Sequence, residues 1–191
     1  MPSCGPLRRG KRLTAEQLVE RHRRLPRVDG NALREQADRA FGSEDRMTTT
    51  TRCGMAAAAD RPPSGVLDTC AYIDLADLDP ARLPELPELS AITLAELHQG
   101  VAMATDPAVR AARTELLGAA IVNFEPLPFD GAAAARYGTL GALTLAANRD
   151  PKPKRSDLMI AAIASVQDLP LYTRNAADFV NLDTMLTVVS V

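Results

Sequence analysis

Val66-Leu67-Asp68-Thr69 decides how this chain is read. Two aliphatic residues run directly into a carboxylate, the pattern of a buried strand that ends on an acid. The setting recurs three times: in Ala91-Ile92-Thr93-Leu94-Ala95-Glu96-Leu97, in Arg155-Ser156-Asp157-Leu158-Met159-Ile160-Ala161-Ala162, and in Thr173-Arg174-Asn175-Ala176-Ala177-Asp178-Phe179. Each acid stands where an apolar run stops or a helical pattern begins. In open α/β sheets, ligands bind outside the carboxyl ends of the strands, so acids delivered there from several elements converge on one crevice. Two carboxylates about 4 Å apart repel by roughly 4 kcal/mol at an effective dielectric near 20. A converged set therefore needs protons or a divalent cation, and a metal site is the economical reading.

Outward from that stretch the pattern alternates. It predicts a strand at 65–68, a short helix at 71–76, and a proline-broken loop through Pro80, Pro84 and Pro87. A strand at 89–92 and a helix at 93–104 follow. Asp106 caps the next helix with Pro107 at its first position. A strand at 121–124, an Ala-rich helix at 130–147 and a charged loop at 149–155 come next. Ser156 caps a helix at 157–167, and strands at 171–173 and 186–189 complete the chain. Strands alternating with helices imply an α/β fold, a mostly parallel sheet flanked by helices on both faces.

Residues 1–65 read as an N-terminal extension and 66–191 as the domain. Within the extension, short helices are expected over 13–41. Thr14 and Gln17 form a capping box for the first, which ends before Pro26. Leu33, Ala37 and Phe41 line one face of a second helix at 31–41. Residues 42–65, a run of Thr, Ala, Pro and Gly without periodicity, read as linker. The division is also electrical. Residues 1–65 carry 13 Lys and Arg against 8 Asp and Glu, while 66–191 carry 9 against 16. An acidic domain does not grip nucleic acid through bulk charge; a bound cation supplies positive potential locally.

With 191 residues, 46% hydrophobic, the chain can bury a core, although aromatics make up only 4%. No run approaches the roughly 18 apolar residues of a membrane span, and no apolar leader segment stands at the N-terminus. Cys4, Cys53 and Cys70 have no metal-ligand spacing and fit a reduced, cytoplasmic setting.

Taken singly, each acid has an ordinary role. Asp68 suits a turn or cap, Glu96 the first turns of a helix, and Asp178 a cap before Phe179. Asp157 is sharper, because the helix it opens is apolar all round and therefore buried. His98 stands two residues from Glu96, so the two face apart on a helix. His22, among arginines, reads as solvated, and Cys70 as a small buried filler. Arg149, Lys152, Lys154 and Arg155 crowd the loop before Asp157; Arg155 is the best placed to clamp a phosphate.

Together the blocks are more specific. Val66-Leu67-Asp68-Thr69, the segment Ser90 to Gly100, Asp157-Leu158-Met159-Ile160-Ala161-Ala162 and Thr173 to Phe179 resemble, in order and spacing, the PIN-domain nucleases, and within them the VapC-type toxins of toxin–antitoxin pairs. The resemblance covers 66–191. It implies a Mg²⁺- or Mn²⁺-dependent endoribonuclease with Asp68 and Asp157 as metal ligands. Glu96 matches the second acid, held directly or through water, and Asp178 the fourth, with Asn175 orienting water or substrate. Thr69 and Thr173 have two readings, hydrogen bonding to the acids or a phosphate and capping of strand ends. The implied partners are an RNA substrate, a cognate antitoxin and a second copy in a homodimer.

The first aspartate of such enzymes stands near the N-terminus, whereas 67 residues precede Asp68 here. Residues 11–46 resemble the tail of an antitoxin, and Met47 is an alternative start. Two other functions compete. One is a catalytically impaired RNA-binding module, kept open by the Asn175/Asp178 alternative. The other is a haloacid-dehalogenase-like phosphatase, which needs a second aspartate where Cys70 stands.

Overall fold

A computed structural model describes residues 12–30, 32–33 and 61–191. Residues 42–60 of the linker expected at 42–65, most of the second helix, Cys4, Cys53 and Met47 lie outside the described residues, and the end of that linker, Ser64 and Gly65, belongs to the first strand.

Four short parallel strands form the sheet, in the order β2-β1-β3-β4. They are β1 (Ser64–Leu67), β2 (Leu86–Glu88), β3 (Leu171–Thr173) and β4 (Val188–Ser190). Side chains of β1 and β3 alternate across the sheet as the two-residue period requires. Leu67 and Tyr172 enter one core with α1 (Ala15–His22), α2 (Thr69–Ile73), α3 (Ala91–Ala102) and α4 (Pro107–Asn123). Val66 and Leu171 enter the other, beneath α5 (Gly131–Ala146) and α6 (Arg155–Val166). The doubly covered parallel sheet expected from the sequence is present.

Several boundaries differ from the sequence expectation, each for a physical reason. The strand expected at 89–92 lies three residues earlier, at Leu86–Glu88. Pro87 is tolerated because β2 is an edge strand, and Ser90 ends it by accepting the Thr93 N–H to cap α3. The strand expected at 121–124 is instead the last turn of α4 and the residue that caps it. A short apolar run does not distinguish the two, and a helix well capped at Asp106 propagates by one hydrogen bond per residue. Ile121 and Val122 are 52% and 80% exposed, so no buried strand claims them. Sheet-like pairing appears further on, as a parallel bridge between Ser90 and Leu127. The last strand begins at Val188 instead of Leu186. Ser156 does not cap α6: a 3₁₀ turn, Lys152–Lys154, winds straight into a helix that starts at Arg155.

Gly65 is needed for close approach. A Cβ there would lie 2.4 Å from Tyr172 Cε2 and 3.2 Å from the Pro170 carbonyl oxygen. Because Tyr172 is itself buried between helices and sheet, it has little room to yield. Gly65→Ala is expected to cost about 1–3 kcal/mol, seen as a lower urea midpoint with unchanged slope; an unchanged midpoint contradicts the packing described.

The capping box at Thr14 and Gln17 forms as the sequence implies. Its helix does not stand apart, however. Ala15, Leu18, Val19 and Leu33 belong to the same core as Leu67 and Tyr172.

Candidate active site

Asp68 is the residue where β1 becomes α2. It is 4% exposed, and its extended backbone leaves the side chain free to cap, so Oδ1 accepts the Ala71 N–H at 2.7 Å. The Cys70 thiol donates to the same carboxylate, with Sγ 2.8 Å from Oδ1 and 2.9 Å from Oδ2. Cys70 Sγ also lies 3.7 Å from Thr173 Oγ1, which carries the contact from β1 to the end of β3. Cys70 is buried, as expected, but it orients the aspartate as well as filling space. The signal for this was its place two residues after a cap.

Glu96 lies in the second turn of α3 and is partly buried. The Thr69 hydroxyl donates to its Oε2. Of the two readings of Thr69, contact with an acid is thus the one realised, and Glu96 is tied to the residue after Asp68. Thr173 is fully buried, and its Oγ1 accepts the Asn175 N–H at 2.9 Å, which is the strand-end capping reading. Asn175 Nδ2 then donates to Asp178 Oδ2 at 2.5 Å. Asn175 and Asp178 are thus hydrogen-bonded to each other.

Asp157 stands in the first turn of α6, half-buried beside Leu158. Just before that helix, Lys154 forms an ion pair with Asp178 Oδ1. Arg149 donates to the Ala177 carbonyl at 2.9 Å. These two cations hold the start of α6 against the turn Ala176–Phe179, at the carboxyl end of β3. The cation engaged there is Lys154, and Arg155, favoured from the sequence, is exposed. His98 is exposed as expected; His22 is not, being 7% exposed against Tyr72.

The contacts thus link Asp68 to Asp178 through Cys70, Thr173 and Asn175, tie Glu96 to Thr69, the residue after Asp68, and set Lys154, just before the helix that carries Asp157, on Asp178. Among the described residues no group of three His, Cys, Asp or Glu is close enough to hold an ion alone. The donor set nevertheless suits magnesium or manganese: these are hard oxygen ligands, and Mg²⁺ is usually held by one or two carboxylates completed by waters and substrate phosphate.

No family model matches the chain. It is, however, 35% identical over 130 residues to Ribonuclease VapC5 of Mycobacterium tuberculosis (strain ATCC 25618 / H37Rv), a match covering 66% of this chain and 93% of that protein. The chain belongs to the VapC ribonuclease family. The crystal structure of VapBC-5 from Mycobacterium tuberculosis, a member of the VapBC family of toxin-antitoxin systems, agrees with a TM-score of 0.60 at 34% identity. That match covers 68% of this chain and all of the other. FitAcB from Neisseria gonorrhoeae matches with a TM-score of 0.51 at 27% identity, over 65% of this chain and 96% of the other. VapC membership accounts for the parallel sheet; these matches span about two thirds of the chain.

Proposed function

We propose that residues 61–191 form a metal-dependent endoribonuclease, the toxic half of a toxin–antitoxin pair, acting on RNA in the cytoplasm. The supporting observation is Asp68, a buried carboxylate at the end of the central strand, linked through Thr69 to Glu96 in a chain of the VapC family. Asp68 and Asp157 would hold the ion, Mg²⁺ or Mn²⁺. When bound, the ion lowers the pKa of an attacking water and stabilises the charge that develops on the leaving oxygen. The protein's own part is positional. Cys70 and the Ala71 N–H fix the carboxylate of Asp68, and Thr69 aims Glu96. Asn175 holds Asp178 so that Lys154 stands ready for a substrate phosphate. Cleavage in this sense leaves a 5′-phosphate and a 3′-hydroxyl. The VapBC-5 relative is a toxin–antitoxin system, so the partner proposed here is an antitoxin protein, with a homodimer as the working assembly.

Total cellular RNA incubated with the full chain in Mg²⁺ or Mn²⁺ is expected to be cut into fragments bearing 5′-phosphates, and excess chelator is expected to stop the reaction. Cutting that persists in chelator, or fragments ending in 2′,3′-cyclic phosphate, would refute the proposal. No helix among the described residues is long and apolar enough to cross a membrane.

A further inference from the structure

Cations are unevenly placed in the nuclease domain. Residues 66–191 carry nine Lys and Arg against sixteen Asp and Glu, so a polyanion meets repulsion over most of this surface. Four of the nine brace the scaffold. Arg82 donates to the Ser190 carbonyl at 2.8 Å, Arg110 to that of Ala104 at 2.6 Å, and Arg113 to that of Gly100 at 2.7 Å. Arg136 donates to the Ser165 hydroxyl at 2.6 Å. The other five gather by the carboxyl end of β3: Arg149, Lys152, Lys154 and Arg155 run into the start of α6, and Arg174 directly follows Thr173.

Two of these five are engaged on the turn Ala176–Phe179, Lys154 with Asp178 and Arg149 with the Ala177 carbonyl. Lys152, Arg155 and Arg174 are exposed. Arg174 Nη1 lies 3.4 Å from Asp74 Oδ2, with the two side chains 42% and 26% exposed. A pair of that kind contributes about 0–1 kcal/mol, so it yields to a phosphate, which a guanidinium grips with two parallel hydrogen bonds. The two arginines also belong to opposite faces of the sheet. Asp74 ends α2, which packs into the core with Leu67 and Tyr172, whereas Arg155 opens α6, which packs into the core with Val66 and Leu171. Asp68, at the end of β1, lies between those faces.

We propose that Arg155 and Arg174 are the two anchors of the RNA backbone, one gripping a phosphate on each side of the bond to be cut. The inference rests on the ribonuclease reading above and adds to it where the strand runs: across the carboxyl end of the sheet, from one helical face to the other. Lys154, already on Asp178, faces the scissile phosphate between the two anchors. Both arginines are positioning residues. They hold flanking phosphates that take no part in the reaction, so they set affinity and register and leave the chemical step to the acids. In an acidic domain such anchors decide where a polyanion can settle, and phosphate contacts of this kind carry no base preference of their own.

The test measures binding apart from cleavage. The full chain, with Ca²⁺ in place of Mg²⁺, is titrated with a fluorescent single-stranded RNA over a range of salt. Arg155→Gln and Arg174→Gln are each expected to weaken binding about fivefold and to flatten the slope of log affinity against log salt by about 0.7, the loss of one phosphate contact to a single strand. Arg155→Lys and Arg174→Lys should keep the wild-type slope. Asp74→Asn breaks the pair with Arg174 and leaves the cation, so its binding should hold or strengthen. An unchanged slope in either Gln variant overturns the proposal. So does an Asp74→Asn chain that binds as poorly as Arg174→Gln, because Arg174 would then act through the fold. Sidedness is read from cleavage in Mg²⁺: RNA trimmed close to the cut on one side should lose the effect of one arginine on KM and keep that of the other, with kcat unchanged throughout. Loss of both effects together overturns the two-sided arrangement. A wild-type chain that neither binds nor cuts RNA sinks the ribonuclease reading as well, whereas one that binds and cuts with both Gln variants at the wild-type slope sinks this inference alone.

Discussion

Asp68→Asn is expected to lower RNA cleavage by about 10²- to 10³-fold while leaving the domain folded. The two halves of that expectation rest on different atoms. An amide oxygen caps nearly as well as a carboxylate, so the bond from the Ala71 N–H survives and α2 keeps its start. What is lost is the negative charge on a group that is 4% exposed. Lewis-acid stabilisation of a transferring phosphate contributes several kcal/mol, and 3–4 kcal/mol corresponds to roughly 10²–10³ in rate. Initial rates on a defined RNA, with urea denaturation of the same preparation, check both halves. Wild-type rates in the variant would remove Asp68 from the chemistry; a loss of more than about 2 kcal/mol in stability would show that its main task is structural. Asp178→Asn should fall by only about tenfold, because Asp178 is already engaged by Asn175 and Lys154.

How much of this was legible in the sequence depends on the range of the interaction. Val66-Leu67-Asp68-Thr69 specified a strand, its end and its acid, because an uninterrupted aliphatic pair and a capping carboxylate are local signals. The four blocks, taken in order, specified the sheet and the helices on its two faces. The apolar run at 121–124 was misread because length and propensity do not tell a helix end from a strand, whereas Val122 at 80% exposure could not have been foreseen from composition. Pro87 was read as a loop because its tolerance depends on being at the sheet edge, which is a property of strand order. Side-chain pairing was least visible. Nothing in the loop before Asp157 says that Lys154 reaches Asp178 and Arg155 does not. Nor does Cys70 announce that its thiol rests on Asp68. His22 failed for the same reason: three neighbouring arginines suggested solvent, and the burial of the opposite face of α1 decided otherwise.

Docking of residues 12–33 onto the domain should weaken by about 3 kcal/mol between pH 7.5 and pH 4, and His22 should be responsible. Burial holds the imidazole neutral and lowers its pKa from the ordinary 6.5 to about 4. The carbonyl of Ile73 and the carboxylate of Asp77 oppose that shift, and the Arg27 guanidinium adds to it. Arg21 and Glu115 line a groove beside the ring, and Tyr72 packs edge-on against it at 5.0 Å. The released state binds a proton at 6.5 and the docked state only near 4, so docking is complete in strength above 6.5 and is lost as pH falls toward 4. Each pKa unit is worth 1.36 kcal/mol, which sets the size of the effect. Hydrogen exchange of the amides at 13–25, corrected for intrinsic rates, should therefore accelerate by about 10²-fold across that window. His22→Leu keeps an apolar contact with Tyr72 and removes both the titration and the unpartnered Nε2. It should flatten this slope and strengthen docking at every pH, leaving only the general acid response of the carboxylates, including Glu88, whose pKa burial raises against the pull of Arg12. If the slope is as steep in His22→Leu as in the wild type, those carboxylates and not the imidazole control the docking of residues 12–33.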